Sequence, residues 1–327
     1  MTVIKAENLT KEFKIAKKGN GLSAAFKNLL VNEKTIVTAV NGVSFDIGRG
    51  EIVGYIGPNG AGKSTTIKMM CGILTPTRGS IHINGISPTQ HRQKVVKDLG
   101  VVFGQRSQLY WDLRLGESFE LLRRIYMVSN DKFNANMEEL NDILQFNDFI
   151  DTPVRQLSLG QRMRADLAAA MLHSPSVLFL DEPTIGLDVD AKYAVRKFIK
   201  KINERSQITI ILTTHDLDDI QTLCKRIIII NNGVIISDCS LDELIDKELT
   251  YRLLFAETKD GYRGYTNPKA EVTVISETKL QLKFRKSDIS AAELISDLSK
   301  HVDIADVQIK ESDIDDVIRQ IFARSKN

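Results

Sequence analysis

Two short stretches carry residue types whose spacing can do chemistry. "GPNGAGKST", Gly57 to Thr65, obeys the spacing G-x-x-x-x-G-K-[ST], follows the apolar run "EIVGYI" and precedes a helical pattern. In that context successive backbone N–H groups of a glycine-rich turn form a concave anion nest, and the helix N-terminus adds its dipole. Gly57, Pro58, Asn59, Gly60, Ala61, Gly62, Lys63, Ser64 and Thr65 are therefore the expected phosphate-binding residues. Lys63 brings a point charge to the β- and γ-phosphates, and Ser64 offers a hydroxyl to Mg²⁺. In "VLFLDEP", Val177 to Pro183, an apolar strand delivers Asp181 to its carboxyl end, where it suits Mg²⁺ held through water. Glu182 points to the other side of the extended backbone and stays free to polarise an attacking water. Together the stretches imply binding of a Mg²⁺-nucleotide and its hydrolysis. They do not separate transport ATPases from kinases, motors or GTPases.

Such residues need strands that end at one edge, and the chain supplies the rhythm for that. "EIVGYIG" reads as a buried strand and Lys63 to Gly72 as a helix, "GSIHING" as a hairpin-like piece, and "DLGVVFGQ" as another strand. Residues from about Gly116 to Phe149 read as helices. "SVLFLDEPT", "ITIILTTH" and "RIIIINNGVI" are continuous apolar strands, with "YAVRKFIKKIN" a helix between the first two. Alternating strand and helix implies an α/β fold with a mostly parallel sheet covered on both faces. The opening "VIKAENLTKEF" alternates as an edge strand does. Between about residues 14 and 35, Leu22, Ala25, Phe26, Leu29 and Leu30 share a helical face, with Lys17, Lys18 and Lys27 around it. A short amphipathic insertion is expected there, packed on its own domain or laid against a membrane surface or partner. Residues 248–327 read as a small, separate α+β domain without a catalytic cluster.

Composition narrows the classes. At 327 residues the chain holds two domains, or one with an appendage, and 43% hydrophobic with 26% charged residues is ordinary for a globular protein. A net charge of +2 gives no reason to expect nucleic acid as a partner. Cys71, Cys224 and Cys239 lack metal-ligand spacing and read as reduced thiols. The N-terminus never becomes an apolar targeting core. The apolar runs fall short of the roughly 20 residues a bilayer needs, so work at a membrane would require a second, spanning chain.

"LSLGQ", Leu157 to Gln161, stands before the Asp–Glu strand, and with it residues 1 to about 245 resemble the ATP-binding-cassette (ABC) ATPases. The resemblance implies a P-loop NTPase cassette with a mostly parallel core sheet, an antiparallel β subdomain and a helical subdomain over about 106–172. The small C-terminal domain would follow at 248–327. It also implies roles. Gln105 in "VVFGQRSQLYWDL" matches the glutamine loop, whose amide binds Mg²⁺ or water. Leu157, Ser158, Leu159, Gly160 and Gln161 match the signature, and Asp188 in "IGLD" matches the D-loop. His215 in "LTTHD" matches the switch histidine that senses the γ-phosphate, which puts it with Glu182 and Gln105 in the catalytic set. Phe13 fits the aromatic that stacks on adenine, and Ala39 falls near the same base. Leu159 departs from the glycine usual in the signature, and Phe13 replaces the more usual tyrosine. In this family two cassettes pair head to tail, each ATP lying between one phosphate loop and the opposite signature. One complete motif set therefore implies a homodimer around ATP and Mg²⁺.

"GPNGAGKSTTIKMMCGILTPTRG" and "RQLSLGQRMRADLAAAMLHSPSVLFLDEPTIGLD" are similar to bacterial ATPases of the sodium- and drug-export kind. That similarity implies a separate polytopic permease, docking near Gln105 to Leu113 beside Tyr110 and Trp111, and a place at the cytoplasmic face of the membrane. The C-terminal domain would add dimer contacts or regulate closure. The rival is a soluble ABC ATPase of DNA repair or translation, which usually carries a coiled-coil insertion, zinc cysteines or two cassettes in one chain. None of these is visible in the sequence. A regulator that binds nucleotide without hydrolysing it is disfavoured by the presence of Glu182.

Overall fold

The computed structural model describes residues 1–16, 34–104, 106–248, 251–259, 264–285, 287–311, 317–318 and 321–322. The expected amphipathic insertion and Gln105 lie outside the described residues. The chain divides into two compact units, Met1–Asp238 and Cys239–Asn327.

The first unit contains two sheets. β1 (Thr2–Ala16), β2 (Lys34–Gly48) and β4 (Arg78–Ile83) form an antiparallel sheet in the order β2-β1-β4. β1 is thus the central strand, and the expectation of an edge strand is corrected. One face of β1 is buried through Ile4, Ala6 and Leu9, while Lys5, Glu7 and Asn8 stay exposed. A central antiparallel strand with one wet face alternates in the way an edge strand does, so periodicity alone does not separate them. β1 also pairs with β2 out to Ala16↔Lys34, so the strands occupy both margins of the span expected as an insertion.

β3 (Ile52–Ile56), β5 (Leu99–Phe103), β6 (Val177–Asp181), β7 (Thr209–Thr213), β8 (Arg226–Asn231) and β9 (Val234–Ser240) form the second sheet, ordered β5-β6-β7-β3-β8-β9. The pairs β5–β6, β6–β7, β7–β3 and β3–β8 are parallel. Val177, Leu178, Phe179 and Leu180 are wholly buried, as are Ile210, Ile211 and Leu212. Runs apolar on both sides are what a parallel sheet covered by helices demands. Because these strands run the same way, the segments after β3, β5, β6 and β7 emerge at one edge, where open α/β sheets bind ligands. Phe103, Asp181 and Thr213 lie side by side at that edge.

Seven helices of the first unit are described: α1 (Lys63–Met70), α2 (Arg92–Val96), α3 (Leu115–Ile125), α4 (Asn130–Leu144), α5 (Leu159–Met171), α6 (Val189–Ser206) and α7 (Leu217–Leu223). "GSIHING" behaves as expected: β4 turns at Asn84–Gly85, and Ile83 and Ile86 exchange two backbone hydrogen bonds of 2.9 Å. Among the described residues no helix is long and apolar enough to cross a membrane.

The second unit has α8 (Leu241–Glu248), α9 (Ala291–Leu298) and four strands, β10 (Tyr251–Thr258), β11 (Ala270–Val274), β12 (Lys279–Arg285) and β13 (Ile304–Glu311). The strands form an antiparallel sheet ordered β11-β12-β10-β13. Leu254, Leu280, Leu282 and Phe284 on its inner face pack with Leu294 and Leu298 of α9.

Candidate nucleotide site

The glycine-rich segment leaves β3 and enters α1 without a side-chain cap, so the first N–H groups of α1 have no local acceptor. Gly62 precedes the helix at φ 108°, a left-handed conformation, and a β-carbon on it would stand 2.5 Å from the Ala39 carbonyl oxygen. Only glycine fits there. The same contact brings Ala39 against the phosphate loop. Lys63 is buried, and its Nζ donates to the carbonyls of Gly57 at 2.6 Å and Pro58 at 3.1 Å. Burial lowers the pKa of Lys63, while the carboxylates of Glu182 and Asp181 oppose that shift. The backbone N–H of Ala61 donates to Pro58 at 3.1 Å, and the exposed Asn59 and Gly60 form the tip.

Asp181 ends β6 between these elements. Its Oδ2 accepts from Ser64 Oγ at 3.4 Å and its Oδ1 from Thr213 Oγ1 at 2.5 Å. A hydroxyl beside one carboxylate, with room left for water and phosphate oxygens, is the hard-oxygen donor set Mg²⁺ takes, so these residues fit the ion. Ser64, Asp181 and Glu182 share a cleft of about 370 Å³ with Phe103, Gly104 and Arg106. Glu182 adopts φ 56°, rare for a residue with a side chain. A β-carbon on Gly104 would lie 2.2 Å from the Glu182 carbonyl oxygen, so that position too requires glycine. His215 Nε2 stands 2.9 Å from Glu182 Oε1. The structure thus brings Lys63, Ser64, Asp181, Glu182 and His215 together from three separate segments.

Phe13 is half-buried, pairs with Val37 and carries the Lys11 ammonium 5.3 Å from its ring centroid. Thr65 lies half-buried on the first turn of α1.

The signature begins α5. Ser158 is its N-cap: Oγ accepts from the Gln161 N–H at 3.2 Å, and the Gln161 side chain accepts from the Ser158 N–H at 2.9 Å. This capping box fixes the start of the helix, where the N–H groups of Leu159 and Gly160 have no acceptor within the helix. Leu157 is buried. Leu159 is 36% exposed, and its Cδ2 would lie 3.2 Å from a β-carbon on Gly186. The side chain that departs from the usual signature therefore leans on the loop after Glu182 rather than across the helix start. Asp188 caps α6, its Oδ1 accepting from the Ala191 N–H at 2.7 Å.

Sequence reasoning missed Thr213, Gly104 and a buried group formed by Thr184, Arg196, Thr214 and Asp219. Lys192 and Arg196, spaced i, i+4, and Asp219, four residues after His215, were the available signals.

Known proteins agree with this architecture. The family profile described as "ABC transporter" matches residues 40–185. The ABC transporter ATP-binding protein NatA of Bacillus subtilis (strain 168) is 33% identical over 71% of this chain and 94% of its own length. The Nod factor export ATP-binding protein I of Paraburkholderia xenovorans (strain LB400) is 34% identical over 73% of this chain and 79% of its own. A solved ATP-binding cassette, a dimer in a post-hydrolysis state bound to ADP and Pi, is 28% identical with a TM-score of 0.61, covering 73% of this chain and 98% of that one. A cassette whose phosphate loop, acidic strand and histidine segment meet at one sheet edge, and whose relatives are transporter ATP-binding proteins, belongs to the ABC transporter ATPase family.

Proposed function

We propose that this chain is the ATP-hydrolysing subunit of a bacterial exporter, working as a homodimer that closes around two ATP molecules and drives a separate polytopic permease from the cytoplasmic face of the membrane. The observation that carries the reading is the convergence of Lys63, Ser64, Asp181, Glu182 and His215 at the carboxyl edge of the parallel sheet. The export sense is supported by relatives such as the Nod factor export protein.

In this reading the N–H groups from Gly57 to Thr65, with Lys63 Nζ, bind and orient the phosphates. Ser64 and Asp181, with Gln105, would hold Mg²⁺, which would supply positive charge to offset that of the phosphates. Phe13 stacks on adenine beside Ala39. Glu182 takes a proton from the attacking water as the new oxygen–γ-phosphorus bond forms and the bond to the bridging oxygen breaks, releasing ADP. His215 Nε2–H holds the Glu182 carboxylate in place. Leu157 to Gln161 and Asp188 of a second copy complete the site, the N–H groups at the start of α5 meeting the γ-phosphate. Closure excludes water and supplies the movement passed to the permease. Residues 1–245 form the cassette in this scheme, and residues 248–327 add contacts to the dimer or control its closure.

The test is phosphate release by the purified chain with Mg²⁺-ATP, alongside extraction of the chain in detergent from its native membrane. Hydrolysis and recovery of polytopic partners are expected. An inert protein, or one recovered with ribosomes or DNA, would overturn the reading.

A further inference from the structure

Asp219 is a wholly buried carboxylate that touches neither the phosphate loop nor the acidic end of β6. Every described contact of its side chain goes to the segments that carry Glu182 and His215, or to α6. Oδ2 accepts from Thr184 Oγ1 at 2.5 Å and from Thr214 Oγ1 at 2.9 Å. Thr184 lies two residues after Glu182, and Thr214 immediately precedes His215. Oδ1 accepts from Arg196 Nε at 2.6 Å. Arg196 reaches further, its Nη2 donating to Asp216 Oδ1 at 3.1 Å, while Lys192 Nζ donates to Asp216 Oδ2 at 2.6 Å. One anion therefore ties together two loops that also meet through the backbone bond from the Glu182 N–H to the Thr213 carbonyl, 2.9 Å, the Thr213–Asp181 hydroxyl bond, and the contact between Glu182 and His215.

A buried ion pair contributes little net stability compared with apolar packing, because both charges must leave water. Its physical value lies in geometry: charge-assisted bonds are short and directional, and each acceptor oxygen fixes the rotamer of the hydroxyl that donates to it. A need for such fixing exists here. Glu182 sits at φ 56°, a conformation that persists only where its surroundings over-determine it. His215 lies in the short segment between β7 and α7 with about half of its side chain (47%) exposed, and its ring is directed toward Glu182.

We infer that Asp219, clamped by Arg196, is a positioning residue for the Glu182–His215 pair, acting through the hydroxyls of Thr184 and Thr214. It sets the distance and orientation of the carboxylate that takes the proton, without touching nucleotide itself. The inference rests on the proposed hydrolysis, and it extends the functional set to a buried cluster behind the site.

The test uses the full chain and separates binding from turnover. Asp219→Asn removes the charge, and Thr184→Val removes one hydroxyl at nearly constant shape while leaving the Asp219–Arg196 pair intact. For both, kcat for phosphate release is expected to fall by about 10- to 100-fold, the loss typical of displaced catalytic groups. Affinity for a fluorescent ATP analogue should stay within about twofold, since Lys63 and the phosphate loop are untouched. Thr184→Ser, which restores the donor, should recover most of the rate. Should Asp219→Asn fail to fold, the two Thr184 variants decide the matter alone. An unchanged kcat in Thr184→Val, a parallel loss of affinity and rate, or a Thr184→Ser protein as slow as Thr184→Val would each overturn the inference. If the unsubstituted chain does not hydrolyse ATP, the proposed function fails instead; if it hydrolyses and the variants do too, only the positioning role is lost.

Discussion

His215 Nε2 and Glu182 Oε1 stand 2.9 Å apart, although the two residues come from different loops and Glu182 holds a left-handed backbone conformation. One carboxylate oxygen is thus engaged by the imidazole, leaving the other for water. Glu182→Gln keeps the shape and the contact with His215 but removes the base. Phosphate release should fall by about 100-fold or more, while bound ATP and a stable dimer persist. Nucleotide retention and sedimentation velocity check this together; turnover at the unsubstituted rate would remove Glu182 from the catalytic role. His215→Ala should also slow hydrolysis, by about tenfold or more, without loss of ATP.

Lys63 presents the opposite case, because the proposed function gives it a binding role rather than a catalytic one. Its ammonium is held by the Gly57 and Pro58 carbonyls at the mouth of the anion nest. Removing a charge-assisted donor to phosphate costs about 1.5–3 kcal/mol, so Lys63→Ala should weaken ATP affinity by about 10- to 100-fold. Titration with a fluorescent nucleotide measures it, and unchanged affinity would contradict the role assigned to Lys63.

Gly62→Ala should damage both folding and binding. The position needs φ 108°, and the added carbon would meet the Ala39 carbonyl oxygen at 2.5 Å. Forcing a side chain into such a conformation costs on the order of 1–3 kcal/mol before the clash is counted. A lower urea midpoint together with weaker ATP binding is expected, and a protein of full stability would show that the loop rearranges freely.

Two buried groups near the helical layer give the protein opposing pH dependences. Asp166 on α5 accepts from Ser107 Oγ at 2.8 Å and the Gln108 N–H at 3.1 Å, yet burial pushes its carboxyl up to about 6. His173, stacked on Tyr126 at 4.0 Å with Nε2 3.0 Å from the Leu99 carbonyl, is pulled down by burial to about 4. With Asp166 the folded state binds more protons than the unfolded chain between about pH 4 and 6, so stability falls as pH rises through that window. With His173 the unfolded chain binds more protons between about pH 4 and 6.5, so stability rises with pH. Asp166→Asn should leave the rising slope unmasked, and His173→Gln the falling one, each by on the order of 2–3 kcal/mol. Urea midpoints from about pH 4 to about pH 8 read the slopes, and parallel curves for all three proteins would contradict the assignment.

How much of this was legible beforehand follows from the range of each interaction. The phosphate loop, the acidic strand end and the parallel strands were readable because each depends on residues within one segment: glycine conformation, a helix start, or a run apolar on both faces. The place of β1 was misread, since hydrogen-bond partners along a strand come from residues far away in sequence and leave no mark on its own alternation. Asp188 and Ser158 show the same limit in reverse, for their own helices already use these side chains as caps.

By itself, then, the sequence marked the local chemistry: a glycine-rich loop spaced as a phosphate nest, a hydroxyl and a carboxylate suited to Mg²⁺, and a second carboxylate beside them. Tertiary structure alone decided which of these residues meet. Glu182 reaches His215 because β6 and β7 run parallel in register, and Leu159 rests beside Gly186 because α5 and the loop after Glu182 pack together. Asp219 becomes a hub only once Thr184, Arg196 and Thr214 surround it and exclude water. A buried charge acquires its partners from the whole fold, so its role is written in distances rather than in spacing.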